Sequence, residues 1–99
     1  MLHIEKRHLD IVEQILAKYP YVFYAFGSRV KGNPKKFSDL DICYLEEIPL
    51  NILSNIKEDF EESTLPFTVD FLNWNTCDDE FKKSIQNDLL KISPNKVDA

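Results

Sequence analysis

Residues 21–41 read YVFYAFGSRVKGNPKKFSDLD and pass from a strand-like composition to a turn and back. The first six residues are aromatic, β-branched or apolar on both faces, which is typical of a strand buried on both sides in the centre of a helix-covered sheet. The strand is predicted to end at Gly27-Ser28, because residues 28–38 are polar and basic, as in an exposed connection. Alternation of apolar and polar residues then predicts a second strand over residues 39–46.

Amphipathic helices and a third strand surround this segment. Apolar residues recur at three- to four-residue spacing on either side of it, which predicts helices that cover a sheet. The further predicted elements are a helix over residues 4–18, a helix over 50–62, a strand over 67–74 and a last helix. The last helix is predicted to follow a capping-box pattern at residues 76–79 and to end at Ser93-Pro94. Its apolar face carries Phe81, Ile85 and Leu89. We therefore predict an α/β fold with a small mixed sheet of about three to four strands flanked by helices.

The length and charge of the chain limit its class. With 99 residues it is predicted to form a single domain over residues 1–99, with residues 92–99 as a loose tail. The net charge of −5 argues against direct nucleic-acid binding, which usually needs a basic surface. No apolar run approaches the roughly 20 residues of a membrane span, and the first ten residues lack the apolar segment of a signal peptide. Cys43 and Cys77 are too few for a disulfide framework, so we expect reduced thiols in a cytoplasmic protein.

Three carboxylates interrupt the predicted strands where apolar side chains are expected. Asp39 and Asp41 are two residues apart, so their side chains leave the same face of a strand. Asp70 lies in the predicted third strand and joins them if the second and third strands are neighbours. Clustered carboxylates repel one another, and a divalent cation such as Mg²⁺ relieves that repulsion while sharing its coordination with substrate phosphates. Taken singly, an Asp-x-Asp pair is also a common strand-end feature, and Asp70 could occupy an edge position.

Gly27 and Ser28 form the second candidate feature. The chain has only two glycines, Gly27 and Gly32, so a backbone need for glycine is concentrated at this one place. A glycine at the end of a central strand lets a ligand approach the backbone, and amides at the start of a helix favour phosphate. Positive side chains follow, which either contact phosphate or form a solvated loop, and they are Arg29, Lys31, Lys35 and Lys36.

Better-known phosphate and calcium motifs do not fit these residues. Gly27 and Gly32 have the glycine spacing of a Walker A loop, but residues 33–34 are Asn-Pro where that loop needs Lys and then Ser or Thr. An EF-hand loop that starts at Asp39 would need glycine at its sixth position, which is Tyr44. Both motifs are therefore excluded.

The combined pattern resembles a known family. Gly27-Ser28, then Asp39-x-Asp41 eleven residues after the serine, then Asp70 on the next strand, is similar to the polymerase β-type nucleotidyltransferase superfamily. More narrowly, it resembles the minimal nucleotidyltransferases that are paired with HEPN-domain partners in toxin–antitoxin modules. The resemblance covers nearly the whole chain, from Ile4 to about Leu90.

The resemblance implies a role for each of these residues. Gly27 and Ser28, with Arg29 beside them, would hold the phosphates of ATP, and Asp39 and Asp41 would carry Mg²⁺ bound to the triphosphate. Asp70 would complete a two-metal site and help to deprotonate the attacking hydroxyl. The implied reaction transfers AMP from ATP to a tyrosine of the HEPN partner, with release of pyrophosphate.

The small size leaves the acceptor surface to another chain, because larger superfamily members use extra domains to grip the acceptor. We expect either a complex with a HEPN-type helical partner or a homo-oligomer. One alternative is an antitoxin that neutralises its partner by occlusion and whose metal site is vestigial. Transfer to a small molecule ranks last, because it needs an acceptor pocket that a chain of 99 residues has little room to build.

Overall fold

The computed structural model describes residues 2–35 and 37–92. Its helices are α1 (Lys6–Leu16), α2 (Ser28–Lys31), α3 (Leu50–Glu61) and α4 (Asp79–Ile85). Its strands are β1 (Tyr24–Phe26), β2 (Leu40–Tyr44), β3 (Val69–Asn73) and β4 (Leu90–Lys91), and short 3₁₀ turns cover Trp74–Thr76 and Gln86–Asp88. Within the described residues, none of these helices is long and apolar enough to cross a bilayer.

The four strands form one mixed sheet in the order β3-β2-β1-β4. β1 runs antiparallel to both β2 and β4, and β2 runs parallel to β3. A parallel pair needs a crossover connection, and α3 supplies it between β2 and β3. The predicted α/β class with a small mixed sheet is therefore confirmed.

The hydrophobic core lies between one face of the sheet and the helices α1 and α3. Leu40 and Ile42 of β2 are fully buried, and α1 and α3 contact each other above them. Aromatic rings fill the space beneath α3, where the Phe60 and Phe71 centroids are 5.6 Å apart. Burial of this stripe explains why the period-two pattern of β2 and the helical spacing of α1 and α3 were visible in the sequence.

The carboxyl-terminal part differs from the sequence-based prediction in how its last helix begins and ends. Thr76 is not the N-cap; Asp78 is, and its side chain accepts a hydrogen bond of 2.8 Å from the Phe81 backbone N–H. α4 ends at Ile85, so Leu89 lies beyond the helix. The chain leaves the helix there because the next residues turn back to pair with the outer edge of β1.

The prediction of a loose tail over residues 92–99 is wrong for its first residue, Ile92. Ile92 is buried, and its backbone N–H donates a 3.0 Å hydrogen bond to the Phe23 carbonyl. This bond extends the pairing of β4 with β1, which satisfies backbone groups that an unpaired edge would leave open. The rest of the tail, with Ser93-Pro94, lies outside the described residues.

Candidate active site

Gly27 occupies a backbone conformation that only glycine adopts readily. It caps α2 with φ of 85° and ψ of −157°, and a Cβ atom built there would lie 2.5 Å from Oδ2 of Asp41. Ser28 is the first residue of α2, so its backbone N–H has no acceptor within the helix. The structure thus brings bare backbone and a helix-start amide next to the Asp41 carboxylate.

Gly32 has a separate, conformational role. It ends α2 in the left-handed region with φ of 96°, and its N–H bonds to the Ser28 carbonyl at 3.0 Å. The nearest atom to a Cβ at Gly32 would be the Nε2 of the exposed His3 side chain at 3.0 Å. Gly32 therefore closes the turn and does not approach the carboxylates.

The three carboxylates lie on two neighbouring parallel strands. Asp41 of β2 and Asp70 of β3 are direct partners in the strand register. Asp39 lies immediately before β2, on the same side as Asp41 by the alternation of the strand. Asp39 and Asp70 are exposed, whereas Asp41 is partly buried between them and Gly27.

Like charges act on Asp41. Burial raises the pKa of its carboxyl, and the negative charges of Asp70 and Asp39 raise it further. Its surroundings in the described part of the chain therefore disfavour the negatively charged form of this carboxyl. A bound cation would remove this cost.

Asp39 is held in place by Thr68, a residue that the sequence analysis did not single out. The Thr68 hydroxyl donates a short hydrogen bond to Asp39 Oδ1. Thr68 directly precedes β3, and its carbonyl accepts a 3.0 Å bond from Leu40 N–H, which fixes the two strands beside each other. The position of Thr68, two residues before Asp70 and so on the same face, is the only sequence signal that could have found it.

Arg29 is buried, whereas a basic residue in a solvated loop would be exposed. Its side chain is 5% exposed, its guanidinium donates to the carbonyls of Ser38 (3.0 Å) and His3 (3.1 Å), and it lies 4.2 Å from the ring centroid of Phe67. These contacts make Arg29 a positioning residue for the loop that leads into Asp39. Its predicted phosphate contact stays a prediction.

Two other basic residues of the loop, Lys31 and Lys35, lie at the surface. Both side chains are exposed, and the Lys35 backbone N–H donates a hydrogen bond of 2.7 Å to the hydroxyl oxygen of Ser38. Lys36 lies outside the described residues. Cys43, on the Asp41 face of β2, is fully buried, and burial raises the pKa of its thiol to about 11, so it is a small core residue without nucleophilic character.

The carboxylates offer the oxygen donors that a divalent cation prefers. The described side chains do not, however, supply a complete set of ligands for it. Within residues 2–35 and 37–92, no three His, Cys, Asp or Glu side chains stand together as a complete metal-binding group. Mg²⁺ is usually held by one or two carboxylates plus substrate phosphates, so an incomplete protein set is what such a shared site needs. The repulsion among the carboxylates at Asp41 and the bare Gly27 backbone beside it are compatible with such a shared site.

Clustered carboxylates beside a bare glycine turn are the arrangement expected of an enzyme that handles nucleotide phosphates, and comparison with known families gives the class. Residues 10–95 match the family described as "Polymerase beta, Nucleotidyltransferase". The chain belongs to this family and is a nucleotidyltransferase, which confirms the resemblance seen in the sequence.

Similarity to an individual protein is more specific than the match to the family. Over 89 residues the chain is 45% identical to the "Probable protein adenylyltransferase MntA" of Haemophilus influenzae (strain ATCC 51907 / DSM 11121 / KW20 / Rd). The alignment covers 86% of this chain and 78% of the relative. The two proteins therefore share most of their length.

Proposed function

We propose that this chain is an Mg²⁺-dependent protein adenylyltransferase that transfers AMP from ATP to a tyrosine of a HEPN-type helical partner and thereby acts as its antitoxin. The observation that carries the proposal is the register pairing of Asp41 with Asp70, next to a glycine whose missing side chain leaves room for a ligand. The name of the MntA relative supports protein as the acceptor class.

The phosphates of ATP bind at the end of β1 in this proposal. Gly27 presents backbone without a Cβ, and the Ser28 N–H is available as a donor to a phosphate oxygen. Arg29 acts behind them by holding the Ser38 and His3 carbonyls, which fixes the loop that precedes Asp39.

Asp39, Asp41 and Asp70 would hold the cation. When bound, Mg²⁺ supplies charge neutralisation for the triphosphate and for the oxygens that react. Thr68 orients Asp39 for this task, because its hydroxyl occupies one carboxylate oxygen and leaves the other open.

The chemical step is an in-line displacement at the α-phosphorus. The tyrosyl oxygen forms a bond to that phosphorus, and the bond from phosphorus to the oxygen that bridges to the β-phosphate breaks. Asp70, exposed at the edge of the cluster, accepts the phenolic proton. The products are an adenylylated tyrosine and pyrophosphate.

Incubation of the purified chain with a HEPN-type partner, ATP and Mg²⁺ tests the proposal. The mass of the partner should rise by one or more adenylyl units, and Asp41→Ala should give no increase. Asp10→Ala is the matched control, because Asp10 is a surface carboxylate in an exposed ion pair with Lys6. If Asp41→Ala modified the partner as well as the wild type does, the proposed mechanism would be wrong.

Occlusion without catalysis is the other candidate for neutralisation. A double variant, Asp39→Ala with Asp41→Ala, that still neutralised the partner in cells would support occlusion over modification.

A further inference from the structure

An open cleft of about 710 Å³ runs along the outer edge of β3. Asp39, Asp70 and the exposed Phe37 line one part of it, and residues of α3 with the inward-packed Phe67 and Phe71 line another. β3 is the end strand of the sheet, and in the described part of the chain it pairs with β2 alone. The cleft therefore reaches two of the three carboxylates, Asp39 and Asp70, and is accessible from solvent.

Phe37 is the unusual residue of this cleft. Its side chain is 61% exposed although it is a large aromatic group, and it stands two residues before Asp39. A single exposed apolar residue is ordinary on a protein surface. This one lines the same cleft as two of the three carboxylates, which makes its position informative.

The strand order fixes the side from which an acceptor must approach. Gly27 and Ser28 follow β1, Asp41 lies on β2 and Asp70 lies on β3, so the groups follow one another across the sheet. Attacking and leaving oxygens lie roughly in line in phosphoryl-type transfers. Since pyrophosphate would leave on the β1 side, the attacking hydroxyl would enter from the β3 side, where the cleft lies.

We infer that this cleft binds the aromatic ring of the acceptor tyrosine and that Phe37 selects a tyrosine over a serine or threonine acceptor. The inference rests on the proposed function, which it deepens by assigning the acceptor site. An aromatic ring pairs with another ring edge-to-face or offset, whereas a serine or threonine side chain is too small to reach both Phe37 and the reacting atoms.

The adenine ring of ATP is the competing occupant. It is also aromatic, but the cleft is lined by residues of β3, the end strand on the far side of β2 from β1, and not by Gly27 or Ser28. A nucleotide whose phosphates lie at Gly27 would have to cross the path of the attacking oxygen to place its base there. The acceptor ring is therefore the occupant to which the geometry points.

Titration of the ¹⁵N-labelled protein with N-acetyl-phenylalaninamide tests ring binding without requiring catalysis, because this probe has no hydroxyl. Amide shifts should cluster at residues 37 and 67–71, and N-acetyl-leucinamide should bind more weakly. Phe37→Ala should weaken binding of the aromatic probe by about two- to tenfold, the range that an aromatic pair contributes. Leu50→Ala is the control, because Leu50 is 82% exposed and does not line the cleft.

Two results would overturn the inference. One is probe shifts that lie elsewhere or that do not distinguish phenylalanine from leucine, a result that the wild-type protein alone can give. The other is a Phe37→Ala variant that binds the aromatic probe normally but has lost affinity for ATP, which would assign the cleft to adenine. Ring binding without any nucleotidyl transfer would refute the proposed function alone, and transfer without ring binding would refute this inference alone.

Discussion

The backbone of Gly27 and the carboxylate of Asp41 lie so close that a Cβ atom at position 27 would be 2.5 Å from Oδ2 of Asp41. The contact joins the end of β1 to the start of β2, where Phe26 and Asp41 are register partners. The conformation of the Gly27 turn and the position of the Asp41 carboxylate are thus coupled.

Replacement of this glycine should damage both stability and activity. Gly27→Ala would place a Cβ at positive φ and against Asp41, so we expect a loss of at least about 1–2 kcal/mol in the free energy of unfolding and a displaced carboxylate. Urea unfolding and the rate of nucleotidyl transfer would measure the two effects. Gly32→Ala has the same positive φ but faces only the flexible His3 side chain, so it should lose stability and keep the transfer rate. Equal loss of transfer in both variants would contradict the coupling.

Asp41 should make stability fall as pH rises from acid. Its folded-state pKa is raised above the unfolded value by burial, Asp70 and Asp39, so the folded chain keeps this proton to higher pH than the unfolded chain. Ionisation of Asp41 consequently destabilises the fold above the unfolded pKa of about 3.9. Asp41→Asn should be more stable than wild type at pH 7, and the difference should shrink as the pH falls towards that value.

Thermal unfolding of the two proteins between pH 3 and pH 8 checks this prediction. Asp70→Asn, which removes only one of the two neighbouring charges, should show a smaller effect of the same sign. A difference between wild type and Asp41→Asn that did not vary with pH would rule out the charge cluster as its cause.

Loss of the Thr68 hydroxyl should impair metal use more than folding. Thr68→Val removes the hydrogen bond to Asp39 at an exposed position, so stability should change by no more than about 0.5 kcal/mol. The Mg²⁺ concentration for half-maximal transfer should rise by about tenfold or more, as when a partner of a metal-ligating carboxylate is lost. Thr68→Ser keeps the donor and should restore wild-type Mg²⁺ dependence. A uniform fall in rate at every Mg²⁺ concentration would argue against a positioning role.

Arg29 should prove more important for stability than for ATP binding. Lysine cannot replace its fork of donors to Ser38 and His3 or its planar contact with Phe67, so Arg29→Lys should lose about 1–3 kcal/mol of stability. Urea unfolding and ATP titration would separate the two roles. Unchanged stability with weakened ATP binding would instead make Arg29 a direct phosphate ligand.

The sequence reveals those parts of the site that depend on residue type within a regular element. Asp41 and Asp70 stand out because a charged residue breaks an apolar strand, and Gly27 stands out because glycine is so rare in this chain. The prediction that Asp70 would join the pair depended on β2 and β3 being neighbours, which they are. Local patterns carried this information because strand alternation fixes the direction of each side chain.

The remaining features depend on contacts between distant parts of the chain. Arg29 is one of several basic residues in its loop, and only the approach of His3 and Phe67 decides that it turns inward. The bond from Thr68 to Asp39 depends on the register of two strands separated by a helix. β4 has two residues, which is too short for any periodicity, so its pairing with β1 and the burial of Ile92 could not be predicted.

The transfer of label from ATP to the partner protein tests the central claim most directly. With ATP labelled at the α-phosphate, wild-type protein should label the partner, whereas ATP labelled at the γ-phosphate should leave its label in pyrophosphate. Asp41→Asn, predicted to be folded and more stable at pH 7, should transfer neither label, so its inactivity would not reflect unfolding. Label from the γ-phosphate on the partner, or α-label transfer by Asp41→Asn at the wild-type rate, would contradict nucleotidyl transfer by this carboxylate cluster.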